Sequence, residues 1–422
     1  MTTRLTELPN GVRIVSCALP HVQSVAVGIW AAVGGRHESK RQHGISHFIE
    51  HLLFKGTQRR SARRIMEEIE GIGGDINANT AEERTCYYAN APHEYLPKLV
   101  DVLTDFYRYP KLAPADIELE RGVIHEEIQM YLDEPSQHVQ ELLHEKFWPG
   151  QAIGHSLTGT PESIARFQRA DFADYLARNY HGGTTLVSAA GNLDHDRLVA
   201  CVEKSLGDLP RGRPPATRRA QSLRRGPELH VVTRDTQQTH VAIGLPAPGF
   251  RSEDRFAANL LHVLLGGNAS SRLFQELREK RGYCYSISTY PVFFSDTGML
   301  NLSIGLDAKN LPRALALISR EFARMRDQTC SPAELKRAKE YTIGLSRMSM
   351  ERTSSQSSRI GQSVLGFGRV LDPEALYAKI RATTPEDIQR IARKILRPAG
   401  TCVALIGPVK RDPALLAALT EK

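Results

Sequence analysis

The sequence has 422 residues, of which 41% are hydrophobic and 24% are charged, and its formal net charge is +8. These values are ordinary for globular proteins and exclude a chain that is mainly disordered. The longest apolar runs are far shorter than the roughly 18 residues that a transmembrane helix needs. We expect no signal peptide, because the N-terminus has no apolar segment of the kind that a signal peptide needs. The six cysteines form no Cys-x-x-Cys pair. We therefore expect a cytoplasmic protein with free thiols and no membrane partner.

The first quarter of the chain mixes short strands with helices. Residues 25–29 form a short apolar run between polar residues, which is typical of a buried strand. Ser61 can cap a helix, and residues 75–80 and 84–91 then indicate two more strands. A helical stripe of apolar residues follows at Leu96, Leu99, Val100, Leu103 and Phe106. Because strict βαβ alternation is lacking, the pattern favours an α+β fold.

A basic, proline-rich segment lies near the middle of the chain. Between Asp208 and Glu228 there are six arginines and four prolines but no acidic residue. Proline and self-repulsion extend such a segment, so we predict a solvated linker at 209–227. A nucleic-acid-binding patch is the alternative interpretation. The segment has no aromatic residue to stack on bases, so we expect no nucleic-acid partner.

The two sides of this linker, 1–208 and 228–422, resemble each other. Residues 241–245 (VAIGL) echo residues 25–29 (VAVGI), and residues 332–335 (PAEL) echo residues 114–117 (PADI). Between them, the helix-like run 258–267 aligns with 47–56. Three matches in the same order predict two homologous domains of about 200 residues each. Each domain should pack helices on a mainly antiparallel sheet.

The sharpest local signal is His47-Phe-Ile-Glu50-His51. On a helix these three polar residues share one face, and two imidazoles four residues apart can bind one metal ion. The other positions are apolar, so the helix should be buried. A buried Glu beside two His residues is costly unless a cation such as zinc compensates it. Satisfied core or surface histidines are the alternative.

A third ligand is expected because catalytic zinc takes three protein ligands and keeps one open position. Residues 115–131 have a helical pattern with an apolar stripe at Ile117, Ile124, Ile128 and Tyr131. Glu120 and Glu127 fall on or beside this stripe, seven residues apart. Glu126 lies about 100° away from Glu127 and should be solvated. A helix with an exposed acidic edge is the alternative interpretation.

The run from Gly44 to Arg59, GISHFIEHLLFKGTQR, resembles the pitrilysin (insulinase) family of metallopeptidases, and within it the processing-peptidase proteins. The resemblance covers nearly the whole chain. It implies a zinc ion held by His47, His51 and Glu127, with Glu50 as the general base. Glu120 aligns with the glutamate that supports a ligand histidine in this family.

The resemblance also implies residues that bind substrate. Residues 74–80 resemble the family's substrate strand and assign Asn77, Ala78 and Thr80 to it. Residues 277–285 resemble a segment that supplies an arginine and a tyrosine, here Arg278 and Tyr285. Tyr283 is a rival for the tyrosine role. The glycine-bearing loop at 264–274 fits the same comparison.

The second half lacks the metal motif in this alignment. Ala258 replaces His47, Leu261 replaces Glu50 and Leu345 replaces Glu127, while His262 alone remains. We therefore expect one zinc ion per chain.

Large members of the family carry four such domains, and this chain has two. The resemblance thus implies a homodimeric endopeptidase that cleaves peptides or unfolded segments inside a chamber. The alternative is a non-catalytic or partner-requiring subunit of a processing-peptidase-like heterodimer.

Overall fold

The structure is a computed structural model that describes residues 2–221 and 226–420. Two compact units share the chain. The first contains the residues up to 129 together with 155–218 and 347–371, and the remaining residues form the second. The sequence predicts continuous domains at 1–208 and 228–422. Each observed unit differs from its predicted domain by including one segment of the other half.

Six strands form the sheet of the first unit: β1 (Thr2–Glu7), β2 (Arg13–Ala18), β3 (Ser24–Ala31), β4 (Asp75–Thr80), β5 (Thr85–Pro92) and β6 (Thr185–Gly191). Their order is β1-β2-β6-β3-β5-β4. Only β2 and β6 are parallel, so the sheet is mainly antiparallel, as predicted. The central strand β6 is buried along its whole length. The strand β4 pairs with β5 alone and forms one edge of this sheet.

The helices before the linker are α1 (Ile45–Leu53), α2 (Ala62–Glu70), α3 (Leu96–Arg108), α4 (Pro114–Asp133), α5 (Pro135–Phe147), α6 (Pro161–Ile164), α7 (Arg169–Asn179) and α8 (His195–Leu206). Ser61 caps α2 as predicted, because its Oγ accepts a hydrogen bond from the backbone N–H of Arg64 at 3.2 Å. The predicted apolar stripe of α3 is buried throughout.

Five strands form the sheet of the second unit: β7 (Glu228–Thr233), β8 (Thr239–Ala247), β9 (Cys284–Phe293), β10 (Gly298–Leu306) and β11 (Cys402–Gly407). Their order is β7-β11-β8-β10-β9, with β7 and β11 parallel and the other pairs antiparallel. This repeats the pattern of the first sheet without its first strand, which confirms two similar domains.

The remaining helices are α9 (Asp254–Leu265), α10 (Leu311–Asp327), α11 (Pro332–Ser349), α12 (Thr353–Phe367), α13 (Pro373–Ala382), α14 (Pro385–Ile395) and α15 (Pro413–Thr420). A π-helix spans Phe274–Glu279. Among the described residues, none of the helices is both long and apolar enough to cross a bilayer.

Two helices explain why the units are not continuous in sequence. The helix α12 belongs to the first unit, where Ile360 and Val364 are fully buried against its sheet. Gly361 permits this close approach, since a Cβ there would lie 2.7 Å from the ring of Trp30. The helix α5 belongs to the second unit, where Leu143 and Phe147 pack with residues of β8 and β11. Each helix buries its apolar face on the sheet of the unit that contains it.

The predicted linker has no regular secondary structure at residues 210–221. Its arginines in this part, at 211, 213, 218 and 219, are exposed, as expected for a solvated segment. Arg224 and Arg225 lie outside the described residues.

Candidate metal centre

The helix α1 has a tightly defined start. Gly44 precedes it with a φ of +92°, and a Cβ there would lie 2.8 Å from the Cα of Gly159, so glycine is required. The buried carboxylate of Glu38 accepts hydrogen bonds from the backbone N–H groups of Gly44 and Ser46, at 2.7 and 2.8 Å. Such groups have no partner within a helix. Gly44 and Glu38 therefore fix the first turn of α1.

Most of α1 is buried, and the buried apolar residues are Ile45, Phe48, Ile49, Leu52 and Leu53. Phe48 packs against Phe172, with ring centroids 4.8 Å apart. His47, Glu50 and His51 are half-buried on the side that remains. The predicted shared face therefore exists.

The structure brings the three predicted metal ligands together. The Nε2 atoms of His47 and His51 each lie 3.7 Å from Oε2 of Glu127. One ligand atom from each residue lies within 4.8 Å of the other two, and the described residues contain no second group of this kind. These separations are too long for hydrogen bonds. Donor atoms around a tetrahedral zinc ion lie about 3.3 Å apart, so the three residues fit one such ion.

The charge state of His47 suits this role. Burial, and then the neighbouring His51, lower the pKa of His47 to about 3. His47 is therefore neutral at physiological pH. An imidazole binds a metal ion in its neutral form.

The carboxylate of Glu120 joins α4 to α1. It is 2% exposed, and its Oε2 lies 2.9 Å from Nδ1 of His51, while its Oε1 lies 2.5 Å from Nζ of Lys55. Burial raises the pKa of Glu120, but the hydrogen bonds from His51 and Lys55 outweigh burial, so that the pKa is lower than usual. With Nδ1 bound to Glu120, Nε2 of His51 is the nitrogen that faces Glu127. Sequence reasoning missed Lys55.

Glu50 is held by the edge strand of the sheet. The hydroxyl of Thr80, the last residue of β4, donates a hydrogen bond to Oε2 of Glu50. Burial raises the pKa of Glu50 above its ordinary value, although the Thr80 hydrogen bond and the neighbouring His51 lower it. The sequence assigns Thr80 to substrate binding, but here its side chain binds Glu50.

Asn77 and Ala78 lie in the middle of β4, at the open edge of the sheet. The side chain of Asn77 accepts a hydrogen bond from the backbone N–H of Ala78 at 2.7 Å. That N–H is therefore directed away from β5, toward the open edge. Another extended chain could pair with β4 there.

Arg278 and Tyr285 lie together in the second unit. The guanidinium carbon of Arg278 is 5.0 Å from the ring centroid of Tyr285 and 4.7 Å from that of Phe274, which is a cation–π arrangement. Tyr285 is 78% exposed. Tyr283 is half-buried, and its backbone N–H bonds to the carbonyl of Leu277. Of the two tyrosines, Tyr285 is the one whose ring stacks with the guanidinium group of Arg278.

The corresponding helices of the second unit carry different residues. Ala258, Leu261 and His262 lie on α9, and Leu345 lies on α11. His262 contacts Thr289, with its Nδ1 3.1 Å from the hydroxyl. Within the described part of this unit, no three metal-binding side chains converge.

Two family models match the chain in succession. The model of insulinase (peptidase family M16) matches residues 13–161, and the model of the M16 inactive domain matches residues 166–341. The chain belongs to the insulinase, or M16, peptidase family. The first M16 model includes the candidate metal ligands, and the second includes Arg278 and Tyr285.

Relatives that align over nearly the full length of this chain carry the name zinc protease. A zinc protease of Mycobacterium tuberculosis is 38% identical over 97% of this chain and 94% of its own length. One from Streptomyces coelicolor is 36% identical over 98% of this chain and 91% of its own length. One from Bacillus subtilis is 34% identical over 96% of this chain and 98% of its own length. The family and these names support a metallopeptidase.

Two solved structures share the fold. A protease from Helicobacter pylori has a TM-score of 0.89 at 20% identity and covers 96% of this chain and 99% of its own. An M16 inactive domain from Pseudomonas fluorescens has a TM-score of 0.90 at 16% identity, covering 98% of this chain and 100% of its own. At these identities the likeness establishes the M16 fold alone.

Proposed function

We propose that this protein is a zinc-dependent endopeptidase with one metal ion per chain. His47, His51 and Glu127 would hold the ion. The observation that carries the proposal is the 3.7 Å distance from both Nε2 atoms to Oε2 of Glu127. When bound, zinc supplies Lewis acidity, which polarises a peptide carbonyl and lowers the pKa of a water molecule to roughly 7.

Glu50 acts as the general base. Its carboxylate takes a proton from the attacking water and returns it to the leaving amine as the C–N bond breaks. Thr80 donates to Oε2 of Glu50, so we assign the proton transfer to Oε1. Glu120 holds Nδ1 of His51 and thereby keeps the imidazole in the orientation of a ligand.

The substrate would bind as an added strand. An extended peptide pairs with the open edge of β4, where the Ala78 N–H would exchange its hydrogen bond to the Asn77 side chain for one to the peptide backbone. Main-chain pairing of this kind gives affinity with little demand on sequence. This supports peptides and unfolded segments as the substrate class.

Arg278 and Tyr285 would stabilise negative charge that develops on the substrate carbonyl. By the resemblance to family members that carry four such domains, we propose that two copies of this chain form a homodimer. We also propose that it acts in the cytoplasm. Its composite site would combine the metal-binding residues of one subunit with Arg278 and Tyr285 of the other, inside a closed chamber. Such a chamber would admit short or unfolded chains and exclude folded proteins.

The test is a peptide-library digest by the purified protein, with and without a chelator, followed by zinc add-back. We expect cleavage that the chelator abolishes and zinc restores. Cleavage that persists in the chelator at zero bound metal would refute the metallopeptidase. Cleavage only after a second, different chain is added would favour the partner-requiring subunit instead.

A further inference from the structure

Lys55 lies one turn beyond His51, two residues after the last residue of α1. Its backbone N–H still bonds to the carbonyl of Leu52, so the helical path continues to this residue. Residues four apart on a helix project to the same side. The chain thus presents the His51 imidazole and the Lys55 ammonium to one carboxylate, that of Glu120 on α4, at 2.9 and 2.5 Å.

The surroundings of Glu120 make the Lys55 contact hard to replace. The Glu120 side chain is 3% exposed, so bulk water has little access to Oε1. Removing one partner of a buried ion pair leaves an uncompensated buried charge, which costs more than an ordinary hydrogen bond contributes. The carboxylate would then shift or turn, and His51 would lose a fixed partner.

The charge balance of the site gives a second reason. Glu50, Glu120 and Glu127 bring three negative charges to the neighbourhood of the two imidazoles. A divalent ion carries two positive charges, and Lys55 supplies the third. A buried group of charges is tolerated when its members are paired in this way.

We propose that Lys55 is a positioning residue of the metal centre, whose ammonium fixes Glu120 against His51 and so directs Nε2 of His51 toward the metal ion. This inference rests on the proposed metal site. It assigns to Lys55 a role in metal affinity, exerted through Glu120, without contact to the ion.

The test compares the zinc affinities of variants by competition with a chromophoric chelator. Lys55→Met keeps the aliphatic stem and removes the charge, and we expect an affinity loss of about 10- to 100-fold, as for other outer partners of metal ligands. Lys55→Arg keeps a cation and should regain most of the affinity. Lys98→Met is the matched control. The ammonium of Lys98 pairs with Glu68 instead of Glu120, at 3.6 Å from Oε2 of Glu68. The Lys98 side chain is 36% exposed, against 30% for that of Lys55.

A double-mutant cycle tests whether Lys55 acts through Glu120. In the Glu120→Gln background, Lys55→Met should change zinc affinity less than about threefold, because the partner is already altered. Additive losses would overturn the proposed route. If Lys55→Met fails to fold by circular dichroism, Lys55→Gln takes its place in the cycle.

The outcomes separate this inference from the function on which it rests. If the wild type and Lys98→Met bind no stoichiometric zinc, the metal site itself is wrong and the role of Lys55 falls with it. If both bind zinc and Lys55→Met binds it equally tightly, the positioning role alone is refuted.

Discussion

Glu50 is the residue on which the proposed chemistry depends most directly. Glu50→Gln keeps the size of the side chain and removes its ability to accept a proton, so zinc content should stay at one ion per chain. Peptide cleavage should fall by about 10²- to 10⁴-fold, the usual contribution of a general base. Glu126→Gln is the control, since Glu126 is exposed on α4. Wild-type turnover in Glu50→Gln would remove Glu50 from the base role.

A substitution at Thr80 distinguishes the substrate-binding role that the sequence assigns from the contact with Glu50 that the structure shows. Thr80→Val preserves shape but removes the hydrogen bond to Glu50. We expect kcat to fall about tenfold with KM nearly unchanged, since a hydrogen bond to a charged group contributes about 1.5 kcal/mol or more. Thr80→Ser keeps the hydroxyl and should retain most of the rate. A rise in KM at constant kcat would instead support the substrate-binding role that the sequence assigns.

The sequence predicts some site residues far better than others. His47, Glu50 and His51 lie within one helical turn, so their shared face follows from helix geometry alone. The position of Glu127 depends on how α4 packs, and the family resemblance supplied it. The sequence does not predict the role of Lys55, because a lysine after a helix is usually solvated. Its contact with the buried Glu120 depends on how α4 packs against α1.

At the scale of elements, Glu38 makes the stability that it gives to the first turn of α1 dependent on pH. Burial raises the pKa of Glu38 to about 7, although its backbone hydrogen bonds lower it. An unfolded glutamate has a pKa near 4.3, so the folded state binds more protons between about pH 4.3 and 7. The contribution of this proton to stability is complete below that window and is lost as the pH rises through 7.

Glu38→Gln should remove this pH dependence because the amide does not titrate. Between pH 4.5 and 7.5, the wild type should lose up to about 3 kcal/mol of unfolding free energy relative to the variant. Urea unfolding followed by circular dichroism across this range measures the difference. Parallel pH profiles for the two proteins would contradict the burial argument.

The elements that the sequence locates well are those with local signals. The strand at 75–80 is observed as predicted, and its partner shifts by one residue, from 84–91 to Thr85–Pro92. Local signals do not predict which of the two units contains α5 and which contains α12. Both helices have apolar faces, but periodicity does not say which sheet a face will cover.

At the scale of the whole molecule, the proposed homodimer makes a quantitative prediction. Glu50→Gln chains lack the base, and Arg278→Ala chains lack the partner residue that would act in trans. After equal mixing and random exchange, half of the dimers are mixed, and each of these has one intact composite site out of two. Activity should therefore recover to about a quarter of the wild-type value. Each variant alone should stay nearly inactive, and no recovery despite demonstrated subunit exchange would place Arg278 outside the composite site.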